Sequence, residues 1–216
     1  MTELIRSLLG AKSVPSELNI SAVIYGQTEP EGLRALSEKL RTVGTRLQLE
    51  ILHHTGEDVR AALLAAQHEL VICAEPSAWL DFAERALRLL TSTEVDLVVS
   101  SKLLPGASAH LPFFPREARR FYHYVLRRAV GLRGTDTLGA KAFRRSRLLP
   151  ILEQCRTSGA AFSSELVIRA QRAGLDVREV AEQCPAACAP AAPTSWRAPA
   201  LFGAAVQLTR TLGRKD

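Results

Sequence analysis

Along the chain, short apolar runs bounded by turn residues alternate with longer stretches in which apolar residues return every three or four positions. The first pattern suits buried strands and the second suits helices laid over a sheet. The alternation therefore predicts an α/β fold with a mostly parallel sheet flanked by helices. "NISAVIY" (19–25) reads as the first strand, followed by a helix over "EPEGLRALSEKLRTVG" (29–44) with acids in its opening turn, Pro30 near its start and Gly44 beyond its end. "LQLEILH" (47–53) is the second strand, and "GEDVRAALLAAQ" (56–67) a short Ala-rich helix. "LVIC" (70–73) is the third strand. Ser77 then offers an N-cap to the helix "SAWLDFAERALRLL" (77–90), which feeds the strand "VDLVVSS" (95–101).

The pattern breaks at "KLLPGASAHLPFFP" (102–115), where three prolines and a glycine support no period. This reads as a long irregular loop of the kind that carries function. A basic helix "PREARRFYHYVLRRAVG" (115–131) follows, then a loop running into a strand, "GTDTLGAKAF" (134–143). The helices "RSRLLPILEQC" (145–155) and "FSSELVIRAQRAG" (162–174) lead to a last strand, "LDVREVA" (175–181). The expected organisation is an N-terminal segment (1–18), one α/β domain (19–182), a Pro/Ala linker (183–197) and a basic amphipathic helix (198–216). In that final helix Leu201, Ala205, Leu208 and Leu212 share a face, with Arg210, Arg214 and Lys215 towards the end. It has two readings: it closes over the domain or a second subunit, or it lies on an anionic membrane.

Composition narrows the partners. A length of 216 residues is enough for one core, and a hydrophobic fraction of 47% is ordinary for a globular chain. Aromatic residues, at 6%, are too sparse for a surface that stacks single-stranded bases, so nucleic acid is not an expected partner. The net charge of +6 calls for an anionic one. Ten Lys and Arg residues from Arg116 to Arg147, against Glu117 and Asp136, place most of the excess there. Cys184 and Cys188 are four apart with no histidine near, Cys73 and Cys155 sit in regular elements, and no zinc spacing results. With no secretory leader pattern and no apolar run of spanning length, the expected location is a reducing cytoplasm. The oligomeric state is open.

In an open α/β sheet, ligands gather beyond the carboxyl ends of the strands. The segments to inspect are Tyr25–Glu29, His53–Asp58, Cys73–Ser77 and Ser101–Gly106. Neither G-x-x-x-x-G-K-[ST] nor G-x-G-x-x-G is present, which argues against a P-loop or a dinucleotide fold. Glu75 is a lone acid at the tip of an apolar strand. Beside a basic loop it suits a divalent cation, Mg²⁺ or Mn²⁺, and a diphosphate; alternatively it caps the helix that follows. His53 and His54 are adjacent on a strand, point to opposite faces and do not make a metal pair.

Taken together, several segments resemble family-two glycosyltransferases of the GT-A fold, especially the polyprenyl-phosphate (dolichyl-phosphate mannosyltransferase-like) branch, over most of Asn19 to Ala181. "SAVIYGQTEPEGL" is similar to that family's opening strand and turn, S-V-V-I-P-A-Y-N-E-x-E-N-L, and "DLVVSSKLLPG" to D-V-V-I-G-S-R-Y-x-P-G. "GTDTLGAKAFRRSRLLPIL" resembles D-T-x-G-x-K-x-F/L-R-R, and "FSSELVIRAQRAGLDVREV" the late helix, with Glu165 and Arg169 at family positions. "ICAEPS" stands where the family has D-A-D-x-S, with Cys73 for the first Asp. "EILHHTGED" stands where it has V-V-D-D-G-S-x-D, with His53 and His54 for the base-reading acids. The resemblance implies a nucleotide-sugar donor at Tyr25, Gly26, Glu29, His53 and His54, with Glu75 as metal ligand. It implies an acceptor phosphate at Lys102, Asp136, Thr137 and Lys141, and catalysis by Glu75, Lys102 and Lys141. The implied reaction is inverting sugar transfer to an anionic acceptor such as a lipid phosphate, by a protein peripheral on the inner face of a membrane. The missing donor-side acids keep open a noncatalytic homologue that binds or scaffolds.

Overall fold

The computed structural model describes residues 18–25, 47–54, 59–75, 79–107, 113–183 and 198–213. The expected helix over 29–44, the Ser77 cap, the N-terminal segment up to residue 17 and the linker from 184 to 197 lie outside them. Among the described residues, β1 (Leu18–Tyr25), β2 (Leu47–His54), β3 (Leu70–Ala74), β4 (Leu97–Ser101), β5 (Lys141–Arg144) and β6 (Val177–Ala181) form one sheet, ordered β2-β1-β3-β5-β4-β6. The helices are α1 (Arg60–Ala65), α2 (Trp79–Ser92), α3 (Phe113–Val130), α4 (Arg145–Gln154), α5 (Gly159–Arg172) and α6 (Ala198–Leu212).

Each strand that can be read from its apolar run is present, and the sheet is mixed. β1, β2 and β3 are mutually parallel, as are β4 and β6, while β5 runs antiparallel between β3 and β4. Because α2 joins β3 to β4 without making them neighbours, β5 fills the gap. The period-2 alternation divides the core: Ile20, Ala22, Ile24, Ile72, Val98 and Ala142 pack towards Phe82, Ala86 and Leu90 of α2. Val23, Val71, Leu97, Val99 and Phe143 face the layer built by α3, α4, α5 and α6. Entry to β5 is tight. A Cβ on Gly139 would stand 1.9 Å from the carbonyl oxygen of Ser100, so only glycine lets the two backbones approach this closely.

The expected loop over 102–115 is shorter than its prolines suggest, because α3 starts at Phe113 and takes in Pro115. Proline is tolerated in the first turn of a helix, where its missing N–H has no partner to lose. Of the two readings of the C-terminal helix, packing accounts for its apolar stripe. Leu201, Ala204, Ala205, Leu208 and Leu212 are buried against α3 and α5, and Arg172 Nη1 donates to Leu212 O at 3.0 Å. Burying each leucine contributes roughly 1.5–3 kcal/mol, enough to hold the helix down.

Candidate functional site

The strands deliver polar residues to one edge of an otherwise apolar sheet. Tyr25 ends β1, Glu75 follows β3, Lys102 follows β4, Lys141 opens the reversed β5 and Glu182 follows β6. Four carboxyl ends and one amino end therefore meet at a single rim, the position where open α/β sheets take ligands.

Lys102 Nζ lies 3.2 Å from Glu182 Oε1, and Glu182 Oε2 accepts from Ser100 Oγ at 2.7 Å. Ser101 Oγ accepts from the N–H groups of Leu103 and Leu104 at 3.1 and 3.2 Å, folding the chain sharply just beyond Lys102. Glu75 is half-buried and has no hydrogen-bond donor among the described residues. Burial pushes its carboxyl up, Lys102 and Arg119 pull it down, and Glu182 adds to the rise; burial prevails. The Tyr25 phenol is likewise pushed well up, by burial first and then by Cys73, Glu75 and Glu182. Buried Cys73 is pushed up to about 12, for Lys141 offsets only part of the effect of burial, so it is a neutral thiol and not a nucleophile at neutral pH.

Beneath this rim lies a second, fully internal layer. Arg119, from α3, grips Asp136 with Nε and Nη2 at 3.0 and 2.8 Å from Oδ1, and Nη2 is 2.8 Å from Oδ2. Asp136 also accepts from the backbone N–H groups of Lys102 and Leu138 at 3.1 and 3.0 Å. Burial alone would raise its carboxyl, but Arg119 and these donors outweigh it and hold it below the ordinary range. Glu179 of β6 accepts from the N–H groups of Thr135 and Asp136, both at 2.8 Å, fixing the loop from the other side. His123 Nε2 accepts from Thr137 N at 2.9 Å while Nδ1 meets Arg119 O at 2.8 Å, which makes it a neutral, Nδ1-protonated ring. Burial accordingly lowers its pKa to about 4.

Lys141 is buried, and its ammonium donates to Thr137 O at 3.0 Å, Gly139 O at 3.0 Å and Ser163 Oγ at 2.5 Å. Burial lowers its pKa to about 8, with Cys73 and Asp136 opposing. All three of its donors are thus engaged inside the protein. Thr137 is equally buried, 2.5 Å from Ser164 Oγ, which meets Tyr122 OH at 2.8 Å. Glu165 accepts from Arg156 N, Thr157 N and Thr157 Oγ1 and pairs with Arg169 at 2.8 Å, stapling the turn between α4 and α5.

The chain matches no family model, no curated protein and no solved structure.

Of the residues singled out in the sequence, the structure brings Tyr25, Glu75, Lys102 and Lys141 to one edge and sets Asp136 and Thr137 beneath it. Gly26, Glu29 and the side chains of His53 and His54 lie outside what is described. Among the described residues, no three His, Cys, Asp or Glu side chains gather where they could share an ion. A divalent cation is held through several oxygens with carboxylate charge. Among the described residues, Glu75 and Glu182 are the carboxylates at this edge, and Glu182 is already paired with Lys102. Glu182, Arg119, Glu179 and His123 escaped the sequence reading. Glu182 had a signal, since it follows the last strand as directly as Glu75 follows the third. The other three meet their partners only across the fold.

Proposed function

We propose that the protein is a GT-A-like glycosyltransferase homologue that takes a nucleotide-sugar at the strand tips and passes its sugar to an anionic acceptor. The observation that carries the reading is the meeting of Glu75, Lys102 and Glu182 from three parallel strands at one rim, beside Tyr25. In such a reaction an acceptor phosphate oxygen attacks the anomeric carbon as the bond to the diphosphate breaks on the opposite face. An acceptor already ionised at neutral pH needs little help from a base. Catalysis then rests on orientation and on neutralising the leaving diphosphate. Lys102 is the residue assigned to that charge; Glu182 holds one of its ammonium donors, and the others have no partner among the described residues. Glu75, whose carboxyl meets no donor among the described residues, is assigned to a sugar hydroxyl. Lys141, Asp136 and Thr137 are assigned to positioning, through the loop that carries the Lys102 backbone.

A second reading has its own support. Cys73 stands where an acid would add charge, and the donors of Lys141 are all engaged, which favours a protein that binds a nucleotide without turning it over. Two assays on the purified chain separate the readings: thermal shift with UDP, GDP and their sugar conjugates, and release of nucleoside diphosphate when a polyprenyl phosphate is added. Stabilisation with release supports the transferase. Stabilisation of about 2.7 kcal/mol at a hundred times Kd without release supports the binding protein. No stabilisation by any of them removes both.

A further inference from the structure

The face of α3 that turns away from the core mixes charged and large apolar side chains. Arg119, Tyr122, His123, Leu126 and Val130 point inward, and between them Phe121 is left 62% exposed and Tyr124 49% exposed. On the neighbouring α6, Phe202 is 68% exposed although the stripe beside it is buried. Phe121 and Phe202 share an apolar groove of about 690 Å³ between the two helices, floored by Val125, Leu201 and Ala205. Phe121 also borders a second hollow of about 470 Å³, lined by Arg120 and Arg127 together with Glu117.

We propose that this α3–α6 face docks on an anionic lipid bilayer, with Phe121, Tyr124 and Phe202 entering the headgroup boundary and the α3 arginines meeting lipid phosphates. Arg116, Arg120, Arg127 and Arg128 are all exposed on α3, Arg210 is exposed on α6, and Glu117 is the lone acid on α3, already paired with Arg120 at 2.8 Å. Arg128 sits over the Tyr124 ring, 5.6 Å from its centroid, so the charged and aromatic groups form one surface. Aromatic side chains ringed by arginines are the composition that an interfacial, anion-seeking surface requires. Charge decides the occupant. A second copy docked face to face would set these arginines against their own counterparts, whereas an anionic leaflet neutralises them. The expected membrane stripe of the C-terminal helix is buried, so the docking surface is the opposite flank of α6 together with α3. No helix among the described residues is long and apolar enough to cross a membrane, and the proposal needs none. It stands independently of the transferase reading.

The test is flotation of the full chain with vesicles of phosphatidylglycerol and phosphatidylcholine, compared with phosphatidylcholine alone, at low and high salt, alongside light scattering. The chain should float with the anionic vesicles and be released by salt. Phe121→Ser with Phe202→Ser should weaken partitioning about tenfold. Replacing Arg120, Arg127 and Arg128 by Gln should weaken it at least as much, at roughly fivefold per charge near the surface. These side chains are exposed, and circular dichroism checks that the variants keep the fold. Absence of flotation, flotation indifferent to both sets of changes, or a dimer that the phenylalanine changes dissociate would each overturn the proposal.

Discussion

His123 is the residue whose chemistry most directly reports the integrity of the layer under the rim. Its ring is buried as the neutral form, with its pKa lowered from 6.5 to about 4 by burial; Asp136 opposes the shift and Arg119 and Arg127 add to it. A depressed folded pKa means that the unfolded chain takes up the proton first. The contribution to stability is complete above pH 6.5 and is lost as pH falls towards 4, by about 3 kcal/mol. Asp136, also held low, extends the loss below pH 4. Urea unfolding of His123→Gln, which keeps an acceptor for Thr137 N and a donor for Arg119 O, should show a flatter pH dependence between 6.5 and 4 than the native chain. An unchanged slope would mean that the ring is not the titrating group. At this scale the sequence disclosed Glu75 because it follows an apolar run directly, and Lys102 through the family resemblance alone. Arg119 was hidden among the basic residues of its helix, since nothing local distinguishes a guanidinium turned inward to Asp136 from one turned to solvent.

Among the elements, strand identity was legible and strand direction was not. The runs at β3 and β4 are buried without a break, yet the four residues of β5 carry no mark of running backwards between them. That placement depends on the close approach at Gly139. Gly139→Ala would press a methyl into the Ser100 carbonyl and should cost about 3 kcal/mol or more. Gly203→Ala on α6 meets nothing within 4 Å, and Ala suits a helix interior better, so it should stabilise by about 0.5–1 kcal/mol. Paired thermal melts of the two variants check this contrast. Equal effects would show that β5 does not depend on the approach. The amphipathic pattern of α6 was correctly seen, but periodicity alone does not say whether an apolar stripe meets protein or lipid.

For the whole molecule, the sheet and its helices form a scaffold that presents two distinct surfaces: a rim of ionisable groups at the strand tips, and an aromatic, basic face on α3 and α6. α3 links them, since Arg119 fixes Asp136 and so the Lys102 backbone, while Phe121 and Arg120 look outward. The central claim is that the rim binds a nucleoside diphosphate through Lys102. Calorimetric titration of UDP and GDP into the native chain, Lys102→Ala and Glu75→Gln tests it most directly. The account predicts binding to the native chain that weakens at least tenfold, about 1.4 kcal/mol, when Lys102 is removed. Glu75→Gln should leave binding of the free diphosphate largely intact and weaken that of the sugar conjugate. Heat of binding that is absent for the native chain, or the same with and without Lys102, would contradict it.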